Sequence, residues 1–105
     1  MGIEKPAYRI DEAGRKIWYL KSKGERHFHN PDGPALIFTT GYKAWYIDGE
    51  CHRTDGPAVC GAQGSERWYV NGKKLPEKEV EQWIKENNID LSTEEGEMAF
   101  ILRWA

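Results

Sequence analysis

Up to residue 75 the chain is punctuated into short apolar runs separated by glycine turns, and then the spacing changes. Ala35-Leu36-Ile37-Phe38-Thr39 is one run and Lys43-Ala44-Trp45-Tyr46-Ile47 the next, with Thr40-Gly41 between them and Asp48-Gly49 after. Such residues suit a pleated surface. Asp-Gly supplies the positive φ angles of a two-residue hairpin turn, and Asn71-Gly72 repeats the signal. Side chains alternate across a strand. That puts Trp18 with Leu20, Trp45 with Ile47 and Trp68 with Val70 on one face, and Tyr19, Tyr46 and Tyr69 on the other. The tryptophans are expected to form one buried column. The tyrosines have two readings: cross-strand stacking or packing on the tail, or a stacking platform for a ligand.

The runs repeat. Trp45-Tyr46 recurs as Trp68-Tyr69 after 23 residues, as does Asp32-Gly33-Pro34-Ala35 as Asp55-Gly56-Pro57-Ala58, and Gly41 and Gly49 recur as Gly64 and Gly72. Trp18-Tyr19 precedes Trp45-Tyr46 by 27, and the extra residues are assigned two before Gly24 and two between His27 and Gly33. Insertions in turns leave the flanking strands intact, because added loop length costs little. A fixed period of this size is the mark of a repeat architecture. Residues 6–75 therefore read as three hairpin units. In the connecting loop, Asp32, Gly33, Asp55, Gly56 and Pro57 have turn duties: the acid bonds its own backbone, the glycine takes angles others avoid, and proline starts the next strand. His52 is placed to donate to Asp55. Nothing in the turn asks for a guanidinium at Arg53.

From Pro76 the period becomes helical. Glu77 and Glu79 suit a first turn, and Val80, Trp83 and Ile84 form an apolar stripe ending at Asn87-Asn88. Ser92-Thr93-Glu94-Glu95 reads as a capping signature. Met98, Ile101, Leu102 and Ala105 are expected to line the buried side of a second helix, although Phe100-Ile101-Leu102 also reads as a closing strand. The expected fold is mainly β with a C-terminal α part: a twisted antiparallel meander of at least six strands, capped by one or two helices, in one domain over 1–105. The cap shields the last edge or the tyrosine face. The edge around Tyr8 to Ile10 has no cover, which marks it for homo-oligomer formation.

Charge then narrows the partners. Fifteen basic and seventeen acidic residues give a net charge of −2, and the basic ones are scattered. That argues against nucleic acid or an anionic membrane as the main partner. No apolar run is long enough to span a bilayer, Met1 to Lys5 lacks a secretory core, and Gly2 lacks the context for myristoylation. The expected location is cytoplasmic. Two cysteines, Cys51 and Cys60, make no disulfide scaffold. His27, His29 and His52 lack zinc-site spacing, and neither a serine elbow nor a phosphate-binding glycine loop is present. No metal, cofactor or enzyme activity is expected.

The pattern Trp-Tyr-x-x-Gly-x-x-His-Arg-x-Asp-Gly-Pro-Ala at 45–58 resembles the MORN repeat and its variants, over residues 6–75. The His-Arg-x-Asp-Gly-Pro-Ala form is similar to that of small proteins of tailed phages and giant viruses. The first unit departs from it, with Asn30 where the arginine stands, and the third has Lys74-Leu75-Pro76 in place of the loop. The resemblance implies serial β-hairpins and an interaction module. The first expectation is a non-enzymatic phage protein that binds and blocks or redirects a host protein, as in counter-defence. A second is a sponge for a small anionic nucleotide-type signal, using Arg53, His52, His29 and the tyrosines Tyr19, Tyr46 and Tyr69. A third is a structural or assembly role.

Overall fold

A computed structural model describes residues 5–22 and 24–105; Met1 to Glu4, on which the targeting expectations partly rest, lie outside it. The molecule is thin, 43 × 38 × 21 Å. Its main sheet contains seven antiparallel strands: β1 (Ala7–Ile10), β2 (Lys16–Ser22), β3 (Glu25–Phe28), β4 (Leu36–Ile37), β5 (Lys43–Ala44), β8 (Val59–Cys60) and β9 (Glu66–Arg67). The order is β1-β2-β4-β5-β8-β9, with β3 also paired to β2. Two further hairpins join β6 (Tyr46–Ile47) to β7 (Glu50–Cys51) and β10 (Tyr69–Val70) to β11 (Lys73–Lys74). The helices α1 (Glu77–Glu86) and α2 (Glu94–Trp104) complete the expected architecture of β-hairpins with a helical C-terminus.

The hairpin turns are those the dipeptides specify. Asp48-Gly49 has φ of 50° and 82°, and Asn71-Gly72 has 52° and 79°, both residues left-handed as the tight turn requires. The apolar runs do not all stay single strands. In the second and third units the run breaks at its tryptophan, while β2 continues through Trp18. The backbone of Trp45 serves two neighbours: its N–H donates to the Ala58 carbonyl (2.8 Å), and its carbonyl accepts from His52 N–H (3.0 Å). Trp18 does the same with Ala35 and His29. Ala35, Ala44 and Ala58 sit where these strands meet and are 0% exposed.

The first unit's insertion lies elsewhere than expected. The true equivalent of His52 is His29, 23 residues earlier, not His27. The second pair of extra residues is therefore in the returning strand β3, not the loop. Two residues added to each strand of β2–β3 lengthen the hairpin while every side chain keeps its face, because the strand period is two.

The tryptophans are not one buried column. Trp68 is 5% exposed, whereas Trp18 and Trp45 are only half-buried. Among the described residues, only the third hairpin has a second layer over its tryptophan face. There Trp68, Val70, Leu75, Val80 and Phe100 form the core cluster, flanked by Trp83, Ile84, Leu91 and Trp104. The cap thus covers neither the tyrosine face nor the sheet edge; it covers the Trp68 face. Val80, Trp83 and Ile84 point inward as expected. On α2 the expected stripe is displaced: Met98 and Leu102 are 52% and 80% exposed, and Phe100 and Gly96 are the buried residues. Residues 100–102 are helical, with no closing strand. Thr93 caps α2, its hydroxyl accepting from Gly96 N–H at 3.0 Å, as the Ser92-Thr93 signature anticipates. Asn87 ends α1 and Asn88 turns left-handed. No described helix is long and apolar enough to cross a membrane.

Candidate functional site

The loops of the first two units converge on a cleft of about 310 Å³ whose lining includes Asp32, Trp45, His52, Arg53, Asp55 and Glu97. The loops are built alike. Asn30 Nδ2 donates to the Pro34 carbonyl at 3.1 Å, and Arg53 Nη1 donates to the equivalent Pro57 carbonyl at 3.1 Å. Arg53 Nε also donates to Asp55 Oδ1 at 2.7 Å, and the guanidinium stacks on the Trp45 ring at 3.9 Å. Arg53 is therefore a brace, contrary to the expectation that it has no structural work. It also explains Gly56, whose φ is not left-handed. A Cβ there would stand 2.7 Å from Arg53 Cζ. Asp55 spends its carboxylate on the arginine. In the first unit, Asn30 Oδ1 rather than Asp32 accepts the local backbone N–H.

Arg53→Ala removes a charge-assisted hydrogen bond, a bond to a carbonyl and a cation–π stack. We expect it to cost about 1–2 kcal/mol of stability, read as a lower urea midpoint with an unchanged slope. An unmoved midpoint would return Arg53 to the pool of residues available for binding.

The histidines brace the turns. His29 Nδ1 accepts the backbone N–H of Asp48 at 2.9 Å, and His52 Nδ1 accepts that of Asn71 at 2.9 Å. Each ties its unit to the left-handed turn of the next and places the imidazole proton on Nε2. His52 does not donate to Asp55. Among the described residues His27 makes no such bond to a turn N–H; it lies near Glu25 at 3.8 Å and packs beside Gly49 of the Asp48-Gly49 turn. His52 lines the cleft and His29 does not. Its carboxylates, Asp32, Asp55 and Glu97, outnumber its one guanidinium, and Glu97 is itself bonded to the Thr54 hydroxyl.

Cys51 and Cys60 are free thiols. Burial pushes the Cys51 thiol up to about 11 from its ordinary 9.0, because a thiolate is poorly solvated there. The folded thiol holds its proton to higher pH than the unfolded one, so its share of stability is intact below about 9 and is lost as pH climbs through about 11. Native Cys51 should react with iodoacetamide at pH 8 more slowly than in urea. Equal rates would show the thiol to be unshielded.

The tyrosines lie outside the cleft. Tyr19 is half-buried on the same face of β1–β3 as its cross-strand partner Phe28. Phe28 is 40% exposed and meets Tyr46 edge-on at 5.3 Å. The Tyr46 hydroxyl is pushed above its ordinary value, chiefly by burial and further by Cys51, Tyr42 and Tyr69 nearby. Sequence reasoning missed what surrounds Tyr19. The register Ala7↔Tyr19, Arg9↔Ile17 and Lys21↔Arg26 puts three exposed cations on that face, and the Arg26 guanidinium lies 5.4 Å from the Tyr19 ring. Strand alternation sends Glu25 to the opposite face. Among the described residues none of Arg9, Lys21 and Arg26 is in a salt bridge. The signal was in the sequence, as basic residues two apart in phase with Tyr19. Comparison with family models, curated proteins and solved structures finds no match, so the likeness to MORN repeats rests on the motif and its hairpin period.

Proposed function

We propose that this chain is a non-enzymatic protein-binding module whose working surface is the Tyr19–Phe28 face of its first hairpin. The observation that carries the reading is the pairing of aromatic side chains with Arg9, Lys21 and Arg26 on a face where β1–β3 place no carboxylate. Rigid aromatics and arginines are the residues that anchor interfaces, and among the described residues Arg9, Lys21 and Arg26 make none of the side-chain hydrogen bonds by which Arg53 and the histidines brace their loops. The fitting partner is an acidic protein surface with an apolar side chain for Phe28. The likeness of the repeat to small phage and giant-virus proteins makes a host protein, bound and blocked in the cytoplasm of an infected cell, the partner of choice. A raised Cys51 pKa and histidines committed to backbone N–H groups support the absence of catalysis. The nucleotide-sponge reading is opposed by the carboxylates of the cleft.

The test is affinity capture from host cells with the wild type and with the double variant Lys21→Glu, Arg26→Glu. A partner retained by the first and lost from the second, at equal melting temperature, supports the reading. Capture that survives the charge reversal sinks it. So does a nucleotide panel that raises the wild-type melting temperature, since a ligand of the folded state stabilises it.

A further inference from the structure

Among the described residues, the large hydrophobic side chains left exposed are Tyr8, Ile10, Phe28, Met98 and Leu102. Apart from Phe28, they fall in two patches, one in each terminal element. Tyr8 and Ile10 lie on the other face of the first hairpin from Tyr19. Tyr8 is paired with Trp18 across the strands, with ring centroids 4.6 Å apart, and Ile10 is paired with Lys16. Met98 and Leu102 form an i,i+4 stripe on α2, on a groove of about 430 Å³ shared with Glu94, Glu95 and Ala99.

The repeat says what the first patch is. Trp18 and Leu20 are the first-unit equivalents of Trp68 and Val70, 5% and 4% exposed in the core beside the cap helices. The third hairpin fills its tryptophan face with the Phe100 side of α2, with Trp68 and Phe100 centroids 5.6 Å apart. The first hairpin presents the same kind of face, and among the described residues no helix lies on it. The α2 helix, in turn, has a second apolar side with no hairpin on it.

We infer that the chain associates head to tail: the Met98–Leu102 stripe of one copy packs on the Tyr8–Ile10–Trp18 face of the next. Helix α2 is then held between two tryptophan faces, its own Trp68 and the neighbour's Trp18. Charge favours this pairing over either patch meeting itself. On the Tyr8–Trp18 face Lys16 is the cross-strand partner of Ile10, with Glu25 at the far end of β3, whereas the Met98–Leu102 groove is lined by Glu94 and Glu95. At the contact, Lys16 beside Ile10 faces Glu94 and Glu95 beside Met98. An antiparallel pairing of two β1 edges centred on Arg9 sets Arg9 against its copy, which like charges oppose. Unlike patches make a heterologous contact, which builds chains or rings rather than a closed two-fold dimer. The binding face proposed above is the opposite one and stays open.

The test uses Ile10→Asp and Leu102→Lys, both at exposed positions, with melting temperature checked first. By light scattering on a sizing column, the wild type should run above the 12.1 kDa monomer, more so at high concentration and less so in high salt. Each variant alone should be monomeric, since each lacks one half of the contact. Their mixture should give a one-to-one dimer and nothing larger, because only one intact pair of patches remains. Association of Leu102→Lys alone would point to strand-edge pairing and overturn the proposal. Association of Ile10→Asp alone would point to helix-on-helix pairing and overturn it equally. A wild type monomeric at millimolar concentration would also end it.

Discussion

Phe100→Ala should cost about 3–5 kcal/mol, the range for truncating a large buried aromatic. Phe100 is 0% exposed and joins α2 to Trp68, Val70, Leu75 and Val80. Among the described residues few other large side chains are fully buried, so this cluster carries much of what holds the fold against chain entropy. The lost phenyl leaves a cavity between two layers that meet through few other contacts. Trp45→Ala should cost less, because Trp45 is half-buried and covered on one side by Arg53. Trp68→Phe should be milder than Phe100→Ala, since the Trp68 indole N–H finds no protein acceptor and its removal abolishes a buried unpaired donor. Urea unfolding of the three variants checks the order. A Phe100→Ala protein within about 1 kcal/mol of the wild type would mean that the cap is not the core.

The hairpins were legible because their turns are local chemistry. Asp48-Gly49 and Asn71-Gly72 dictate left-handed backbone whatever surrounds them. Burial was not legible, because it depends on which face acquires a second layer. Alternation assigns Trp18, Trp45 and Trp68 to one face, yet of the three only Trp68 lies in the core cluster with the helices. The histidines show a related limit. His27 and His29 are two apart, so both fit one strand face, and a pattern of period two cannot choose between them. The contact of His29 Nδ1 with the Asp48 turn chooses, as does that of His52 with Asn71. On α2, apolar residues occur on more than one side, so helical spacing offers two stripes and the Trp68 face selects the one with Phe100. Arg53 was misread for a different reason. The turn itself does not need it, but a guanidinium long enough to reach back to Pro57 and over Trp45 does what Asn30 does for Pro34 with a shorter side chain.

Gly96→Ala separates local propensity from packing most sharply. Glycine inside a helix costs about 1 kcal/mol relative to alanine, so propensity alone makes the substitution stabilising. The geometry says the reverse. Gly96 is buried in the first turn of α2, where the chain folds back after Asp90. An added Cβ would run into the Asp90 backbone carbonyl and stand 3.0 Å from the Thr93 hydroxyl. That carbonyl is not free to move, for it accepts from Thr93 N–H at 3.1 Å and from Thr93 Oγ1 at 2.7 Å. Thr93 in turn caps the helix through Gly96 N–H. A methyl group must therefore push α2 off its cap or away from Trp68. Overpacking of this kind costs typically 1–3 kcal/mol, and with the cap loosened we expect a net loss on the order of 2 kcal/mol. Ala99→Gly, on the Met98 side of the helix, should lose only the propensity difference of about 1 kcal/mol. If Gly96→Ala instead raises the urea midpoint, the turn at 90–93 yields to the methyl, and the close approach of Asp90 is no constraint on the cap.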